Sequence, residues 1–458
     1  MMDIAERLVN NVLVTTYESL PQEAIENTKN SILDTLGTIL AGYTAPGCKA
    51  VVDLVREWGG KEESTILVFG GKVTAHNAAM VNSVMARALD YDNVISVGLH
   101  PSACSVPTAL AIAEMRGHVS GKQLITAIAV GEDLATRLNL AVNPANKGFD
   151  PTGVCMALGT AAITGKLLGL KEEKMLSALG IAFNQAAGSP QGTMDGGLVV
   201  RVSQGLTSRV GIVSALLASK GITGIKNIMQ GEFGFFRLFS QDQPNLEILT
   251  DQLGKRFENA KMACFKKHPS CGLTSSTIDG VLELINEHRF SPEEVERITV
   301  RVSTPVYTIV GHPFKVGSNS QVDAQFSISY TVASAIIRKS SKLEHFTEQY
   351  IIDPKVQEVA SKVQAIADEE LDKVPTEMKS MIMEIELKDG EKFSKFIRYP
   401  RGSPQNPMSN EEIKEKFRNC ANYAPKLPTN RVCEKIISLI GRLEKVDDVC
   451  EIINLLTL

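Results

Sequence analysis

Residues 379–399 read KSMIMEIELKDGEKFSKFIRY and predict a β-hairpin. Apolar and polar residues alternate in both halves, as in half-buried strands, and an Asp-Gly dipeptide between them is typical of a tight hairpin turn. A second alternating segment, ERITVRVS at 296–303, predicts another strand. Because helices are predicted between these strands, at 275–288 and 323–338, this part of the chain indicates an α+β unit.

The sequence on either side of this unit is predicted to be helical. Residues 21–42 carry apolar side chains at the helical period of about 3.6 residues, and Pro21 and Gly42 suit the first turn and the end of a helix. The segment 152–170 is rich in glycine and alanine, which indicates an interior helix in a tightly packed bundle. Further helices are predicted at 106–116, 121–140, 409–419 and 431–440.

The length of 458 residues, 43% of them hydrophobic, is enough for two or three domains. We predict a mainly α protein in which a large all-helical domain is formed by both chain ends, 1–264 and 401–458. A smaller α+β domain, 265–400, is inserted between them and is expected to act as a lid.

The composition argues against nucleic acid and membrane partners. Charged residues make up 22% of the chain, are mixed in sign and give a formal net charge of −4, so no basic footprint for phosphates is present. No segment approaches the roughly 20 apolar residues that span a bilayer, and the N-terminus lacks the pattern of a secretory signal. We therefore expect a cytoplasmic protein.

Eight cysteines occur without a Cys-x-x-Cys pair and without a His-rich stretch. Zinc sites need closely spaced ligands of this kind, so no metal site is predicted. A disulfide scaffold is equally unexpected in a long chain with a large core, and the cysteines are predicted to be reduced and mostly buried. Neither glycine-rich phosphate-binding fingerprint is present, which argues against a nucleotide or nicotinamide enzyme.

The first candidate site combines the strings LDYDN and LHPS, which contain Asp90, Asp92 and His100 and are joined by a stretch predicted to be flexible at 96–98. An imidazole titrates near neutral pH and can move protons, and a carboxylate can hold its tautomer. The same residues would also suit a helix C-terminus with solvated aspartates and a capping histidine. Both interpretations stay open on these residues.

Two further candidates are glycine-rich turns. In GFDPTG, Asp150 either points into a cavity or caps the backbone of the turn. In GSPQGTMDGG, at 188–197, the backbone could present N–H groups to an anion beside Gln191 and Thr193, although a mobile loop between two helices explains the glycines equally well. Arg201, just beyond, suits either a carboxylate partner or a surface role.

The fourth candidate is FKKHPSCG at 265–272, which lies at the predicted domain change, where ligand clefts are common. Its lysines, Lys266 and Lys267, its imidazole, His268, and its thiol, Cys271, fit a site for a polyanionic small molecule. A plain interdomain hinge is compatible with the same residues.

Several strings occur in the order found in the MmgE/PrpD family, which the chain resembles over roughly residues 5–425. They are ALDYDN, GFDPTG, QGTMDGG, FKKHPSCG, DAQFSISYTVA and PRGSPQNPMS. The resemblance implies a cofactor-free homodimer with a large helical domain and a smaller lid. It also implies activity on a small di- or tricarboxylate, by proton transfer at a carbon next to a carboxylate or by loss of water or CO2 there.

Carried over by position, the resemblance implies that Asp90 and His100 line the pocket and form one proton-transfer unit. Lys266 is expected to hold a substrate carboxylate or to donate a proton, and Cys271 or Asp150 is expected to be the second acid or base. The substrate-binding residues are then expected to be Asp92, Lys267, His268, Arg201, Gln191 and Thr193.

Polar positions of the decarboxylase-like members differ in this chain. Those members have His, Lys, His and Thr where this chain has Asp150, Gly196, Cys271 and Val94. We therefore do not expect cis-aconitate decarboxylase activity. The expected enzyme is a hydro-lyase or an epimerase, and the alternative is a catalytically silent member that binds a metabolite or only dimerises.

Overall fold

The computed structural model describes residues 3–95, 98–241, 243–317, 319–374, 379–425 and 428–457. Residues 96 and 97, in the stretch that we predicted to be flexible, lie outside these ranges. The described chain is mainly helical, as predicted, and contains a small mixed sheet. Within these ranges, every helix is too short or too polar to span a bilayer.

The helices fall into three groups along the chain. The first group is α1 (Ile4–Val14), α2 (Gln22–Gly42), α3 (Cys48–Trp58), α4 (Ala75–Arg87), α5 (Ser102–Arg116), α6 (Gly121–Val142), α7 (Ala157–Leu167), α8 (Glu172–Phe183), α9 (Gln191–Met194), α10 (Val199–Ser219), α11 (Phe235–Phe239), α12 (Leu246–Thr250) and α13 (Glu258–Met262). The second is α14 (Ser275–His288), α15 (Thr304–Val310), α16 (Ser320–Gln325), α17 (Ile328–Arg338), α18 (Glu348–Ile351), α19 (Pro354–Ser361) and α20 (Glu369–Asp372). The third is α21 (Asn410–Tyr423), α22 (Asn430–Gly441) and α23 (Cys450–Leu455).

Proline and glycine set several of the helix ends. Helix α2 begins directly after Pro21 and ends at Gly42, as predicted. Helix α5 begins earlier than predicted, at Ser102, directly after Pro101. Proline is well placed before a first helical turn, because the N–H group that it lacks would have no partner inside the helix.

The segment predicted as one helix at 152–170 is divided. It begins with a π-helical turn, Thr152–Met156, and continues as α7. Gly153 lies in the π-turn, and a β-carbon at this position would come within 1.9 Å of the carbonyl oxygen of Ala187. The close approach of two backbones, rather than helix propensity, therefore decides the local geometry.

The sheet confirms the predicted hairpin. Its strands are β5 (Val295–Val302), β6 (Val363–Ala367), β7 (Met381–Leu387) and β8 (Lys392–Ile397), in the spatial order β6-β5-β7-β8. Strand β5 is parallel to β6 and antiparallel to β7, and β7 and β8 form the hairpin. Gly390 has a φ of 90°, which the turn requires and which glycine adopts without steric strain.

Two pairs of very short strands lie in the part that we predicted to be all-helical. They are β1 (Ser64–Thr65) with β2 (Lys72–Val73), and β3 (Val94–Ile95) with β4 (Ala263–Cys264). Strands of this length leave no alternating pattern in the sequence, so periodicity could not predict them. The pair β3–β4 places the segment after residue 264 beside the segment after residue 90.

Buried hydrophobic side chains form two large cores. One joins the helices of the first group to those at the chain end, and there Phe417 of α21 lies against Gly37 of α2. The other extends from Cys271 to Ile397 and contains the sheet with α14 and α17. This arrangement agrees with an inserted unit, and the domain boundaries after residues 264 and 400 stay predictions.

Candidate active site

A cavity of about 550 Å³ lies between the two cores and is lined by residues from both. Its charged groups come mainly from segments 87–100 and 264–273. The residues predicted to be catalytic all occur in its lining: Asp90, His100, Asp150, Lys266 and Cys271. The fold therefore brings distant candidates to one place, as a shared active site requires.

The floor of the site is a loop that turns sharply after α4. Asp90 has a φ of 50°, a left-handed conformation that an Asp residue tolerates better than most. Its carboxylate pairs with the Arg87 guanidinium at the end of α4. Burial raises the pKa of the Asp90 carboxyl, but the cations of Arg87 and Lys266 outweigh this effect and lower it overall. Asp90 is therefore a carboxylate held between two cations.

Lys266 reaches this loop from the neighbouring segment, because β4 pairs with β3. Its Nζ donates to the backbone carbonyl of Asp90 at 2.8 Å and to Oδ1 of the same residue at 2.8 Å. The side chain is 1% exposed. An ammonium has three N–H donors, and the described residues supply no third acceptor. One N–H group is thus left for a ligand in the cavity.

His100 is held by Asp92 rather than by Asp90, contrary to the predicted proton-transfer unit. Its Nδ1 lies 2.9 Å from Oδ2 of Asp92, which is fully buried. The Asp90 carboxylate is engaged by Arg87 and Lys266 instead. Burial raises the pKa of Asp92, but His100 and Arg87 outweigh it and lower that pKa well below its usual range. Because Asp92 is ionised, Nδ1 carries the proton, and Nε2 of a neutral His100 can accept one.

The pKa of His100 itself favours this neutral form. Burial and the positive charge of Arg87 lower the pKa of the imidazole below its ordinary value, against the opposing effect of Asp92. The backbone N–H of His100 donates to Oγ1 of Thr152 at 3.0 Å, which fixes the histidine to the π-turn. The site therefore contains an oriented base that is unprotonated at neutral pH.

Asp150 fits both of the alternatives raised by the sequence. Its Oδ1 accepts from the backbone N–H of Thr152 at 3.0 Å, so it caps the turn, and the residue also lines the cavity. Burial raises the pKa of the Asp150 carboxyl, with hydrogen bonds from the backbone of Thr152 opposing. A buried carboxyl of this kind can carry a proton and donate it.

Cys271 lies in the cavity wall, with its backbone N–H donating to the carbonyl of Gln325 at 3.0 Å. Burial, followed by the negative charge of Asp90, raises the pKa of its thiol to about 12. At neutral pH the group is therefore an S–H, which can give a proton but cannot take one.

Some of the residues predicted to bind substrate lie at the cavity, and others do not. Thr193 lines the cavity, and Asp92 lies behind His100. The described lining does not include Gln191, which donates to Asp195 at 2.8 Å, or Arg201, which donates to the carbonyl of Pro46 at 2.8 Å.

Lys267 and His268 also lie outside the described lining. His268 is buried with its Nε2 at 3.0 Å from Oδ1 of Asp279, and the Lys267 ammonium lies 3.6 Å from the same oxygen. This second buried histidine–aspartate pair belongs to the packing of α14. This placement does not support the predicted contact of Lys267 and His268 with substrate.

Sequence analysis did not single out Arg87 or Gln325. Arg87 lines the cavity and stands three residues before Asp90, a helical i,i+3 spacing that could have indicated it. Gln325 of α16 donates to the carbonyl of Leu89, directly before Asp90, at 2.6 Å. No local pattern marks Gln325, because its partner lies 236 positions away in the chain.

Lys416 on α21 supports the same loop from behind. Its Nζ lies 2.6 Å from Oδ1 of Asp34 on α2, donates to the carbonyl of Tyr91 at 2.7 Å and lies 3.9 Å from the centre of the Tyr91 ring. Burial raises the pKa of Asp34, and the Lys416 charge opposes this. Because Tyr91 stands between Asp90 and Asp92, the buried ion pair acts as a positioning element for both carboxylates.

Replacing Lys416 with Met should lower the free energy of unfolding by about 3–5 kcal/mol, because the buried Asp34 carboxylate loses its cation. Urea denaturation measures the loss. Lys414→Met on the same helix is the matched control, since Lys414 is 38% exposed and pairs only with the exposed Glu411. That change should stay within about 0.5 kcal/mol of the parent protein.

The double variant Asp34→Leu/Lys416→Met separates charge from packing. It removes both buried charges and should recover most of the lost stability. Turnover should be lower than in the parent protein in both the single and the double variant, because both lack the Lys416 hydrogen bond to the Tyr91 carbonyl. A Lys416→Met protein as stable as the Lys414→Met protein would contradict the proposed ion pair.

Across the part of the chain that the structure describes, no three His, Cys, Asp or Glu side chains are grouped as ligands of one ion.

Known proteins match most of the chain. Residues 6–247 match the MmgE/PrpD N-terminal domain, and residues 268–439 match the MmgE/PrpD C-terminal domain. The cis-aconitate decarboxylase of Aspergillus terreus is 26% identical over 95% of this chain and 93% of its own length. The cis-aconitate decarboxylase of Homo sapiens is 28% identical over 95% of this chain and 91% of its own length.

Proposed function

The chain belongs to the MmgE/PrpD family, and from that premise we propose that it is a lyase or an epimerase acting on a small di- or tricarboxylate. The proposed chemistry is proton transfer at a carbon next to a carboxylate. The observation that carries the proposal is the contact of His100 with Asp92 in one cavity with Lys266 and Arg87.

In the first step, Nε2 of His100 takes the proton from the carbon next to the substrate carboxylate. The electron pair of the broken C–H bond moves into that carboxylate as an enolate-like charge. The Lys266 ammonium and the Arg87 guanidinium, both in the lining, stabilise this charge because they are fixed before the reaction begins.

The second step needs an acid, and the site offers two. In a dehydration, the S–H of Cys271 or the carboxyl of Asp150 protonates a hydroxyl on the next carbon, which leaves as water while the C=C bond forms. In an epimerisation, the same acid returns a proton to the opposite face of the carbon. The raised pKa of Asp150 favours this carboxyl as the acid, whereas the thiol of Cys271 is protonated at neutral pH but is the weaker donor.

We propose that decarboxylation of cis-aconitate is not the activity of this chain, although its relatives carry that name. Position 196, where the resemblance implies a Lys in the decarboxylases, is Gly196 with a φ of 65°. A lysine would have to adopt this left-handed conformation, and its β-carbon would lie 2.7 Å from Oδ1 of the Asp323 side chain, which would have to shift. Asp150 and Cys271 also replace two imidazoles with acids.

The test is a panel of acids incubated with the purified protein in D2O and followed by NMR and mass spectrometry. The panel contains malates, tartrates, methylcitrate, iminodisuccinate and cis-aconitate. We expect exchange of a C–H next to a carboxylate, with formation of either an alkene or the opposite epimer. Release of CO2 from cis-aconitate would overturn the exclusion of decarboxylation. No exchange and no binding across the panel would favour the catalytically silent alternative.

We also propose that the protein is a homodimer that uses one face of α10. Leu206 and Leu217 are 45% and 40% exposed outside the described cavity lining, and their spacing places them on one side of the helix. Such an apolar stripe is unusual on a monomer surface.

Light scattering should therefore give twice the 49.7 kDa chain mass. Leu206→Asp should shift the protein toward monomer, because it places a charge in the apolar contact. Ile352→Asp, at a 55% exposed position far along the chain, is the control and should remain dimeric. A parent protein that is monomeric at micromolar concentration would overturn this proposal. The cytoplasmic location and the lack of a cofactor stay predictions.

A further inference from the structure

The cavity is unusually apolar for a site that would hold only a small polycarboxylate. Away from the charged loop, most of its lining is aliphatic or aromatic and includes Val306 and Ile309 of α15 with Phe149 and Met194. Polar side chains such as Asn143, Ser203 and Gln204 lie among them. A volume of about 550 Å³ is within the range of roughly 300–1,000 Å³ that encloses a drug-sized ligand. A four-carbon diacid at His100 would leave most of this wall in contact with water.

The charges of the lining limit how many carboxylates a substrate can carry. Arg87 and Lys266 are already paired with Asp90. Lys379 is the remaining cation among the described lining residues. A buried carboxylate without a cation or several donors is strongly unfavourable. The lining therefore suits one or two carboxylates and provides poorly for three.

On the basis of the function proposed above, we propose that the substrate is a dicarboxylate that carries an apolar alkyl or aryl substituent. The carboxylate at the reacting carbon lies against Lys266 and His100. The substituent lies against the apolar wall, where α15 supplies Val306 and Ile309. This division assigns α15 as the element that determines specificity for the substituent.

The proposal makes a quantitative statement about chain length. Each methylene group that leaves water for this wall should tighten binding about three- to fourfold. Because the wall contacts the substituent equally before and during the reaction, the gain should appear in Kd and KM rather than in kcat.

The test measures binding rather than turnover, so that its result does not depend on the reaction. Succinate and its methyl, butyl and hexyl derivatives are titrated calorimetrically into the full-length protein. We expect Kd to fall steadily from succinate to the butyl derivative, by about three- to fourfold per methylene. Equal or tighter binding of unsubstituted succinate would overturn the inference.

A matched pair of variants locates the effect. Ile309→Asn places an amide in the wall at a position that is 38% exposed, and Ile366→Asn makes the same change at a 39% exposed position of β6 outside the lining. In Ile309→Asn, the gain in affinity of the butyl derivative over succinate should be smaller by at least about threefold than in the parent protein. In Ile366→Asn, this gain should be unchanged. An unchanged dependence in both variants would overturn the assignment to α15.

The two proposals fail in different ways. Chain-length-dependent binding without any proton exchange would contradict the proposed reaction and leave the substituent pocket in place. Proton exchange on unsubstituted acids without chain-length dependence would contradict the substituent pocket alone. Neither binding nor exchange with any acid would contradict both.

Discussion

His100→Gln lowers turnover by about 10²-fold or more, with little change in stability. Glutamine keeps a polar side chain of similar size, but it cannot accept a proton near neutral pH. The rate of C–H exchange in D2O, on whichever acid of the panel reacts, measures the loss. KM should change much less than kcat, because Lys266 and the cavity wall remain.

His312→Gln is the matched control, because His312 is exposed and lies outside the described cavity lining. It should exchange protons at the parental rate. Near-normal activity in His100→Gln, with the protein folded, would overturn the assignment of His100 as the base.

The pH dependence of the parental enzyme follows from the same group. The reaction needs neutral His100, so kcat/KM falls as pH decreases through the pKa of the imidazole in the free enzyme. Burial and Arg87 lower that pKa below the ordinary 6.5, so the acid limb should lie below pH 6.5. The Cys271 thiol, with its pKa raised to about 12, should add no limb in the neutral range. A rate that increased steadily through pH 8–10 would indicate a thiolate base instead.

Asp92→Asn should lower kcat by about 10²- to 10⁴-fold, although it changes only one atom of the side chain. The Asp92 carboxylate accepts the Nδ1 proton of His100 at 2.9 Å and thereby leaves Nε2 free. An asparagine can instead donate its N–H group to Nδ1, which places the imidazole proton on Nε2. The tautomer that results presents a donor to the substrate where a base is needed.

Asp279→Asn provides the control for this second substitution. Asp279 forms the other buried aspartate–histidine pair, with Nε2 of His268 at 3.0 Å, and neither residue lines the cavity. Both variants lose a buried charge next to an imidazole, so both should be less stable, but only Asp92→Asn should lose its turnover. Equal effects of the two variants on kcat would show that Asp92 acts through stability rather than through the His100 tautomer.

Local patterns predicted most of the elements that matter. The alternation around the Asp-Gly turn predicted β7 and β8, and the 3.6-residue period predicted α2, because each pattern reports the face that one element buries. The two-residue strands β3 and β4 were missed, since a pattern needs more residues than they contain. Those strands nevertheless decide where the segment containing Lys266 lies.

In the candidate site too, the sequence indicated which residues take part but not which of them contact each other. Asp90, Asp150, His100, Lys266 and Cys271 could be selected from residue type, turn geometry and family resemblance, and they line one cavity. The partner of His100 could not be selected, because Asp90 and Asp92 precede it by ten and eight residues and no local pattern distinguishes them. Their roles are separated only by Arg87 and Lys266, which engage Asp90 and leave Asp92 to the imidazole.

The sequence by itself determined that this chain is mainly helical, that it contains an α+β segment with a hairpin at 379–399, and that it belongs with a family of carboxylate-active enzymes. Only the tertiary structure decided which charges meet. Lys266 binds a residue 176 positions away, and Lys416 binds one 325 positions away. Periodicity and turn chemistry act over a few residues, whereas such buried pairs form only when tertiary packing brings the distant segments together and excludes water.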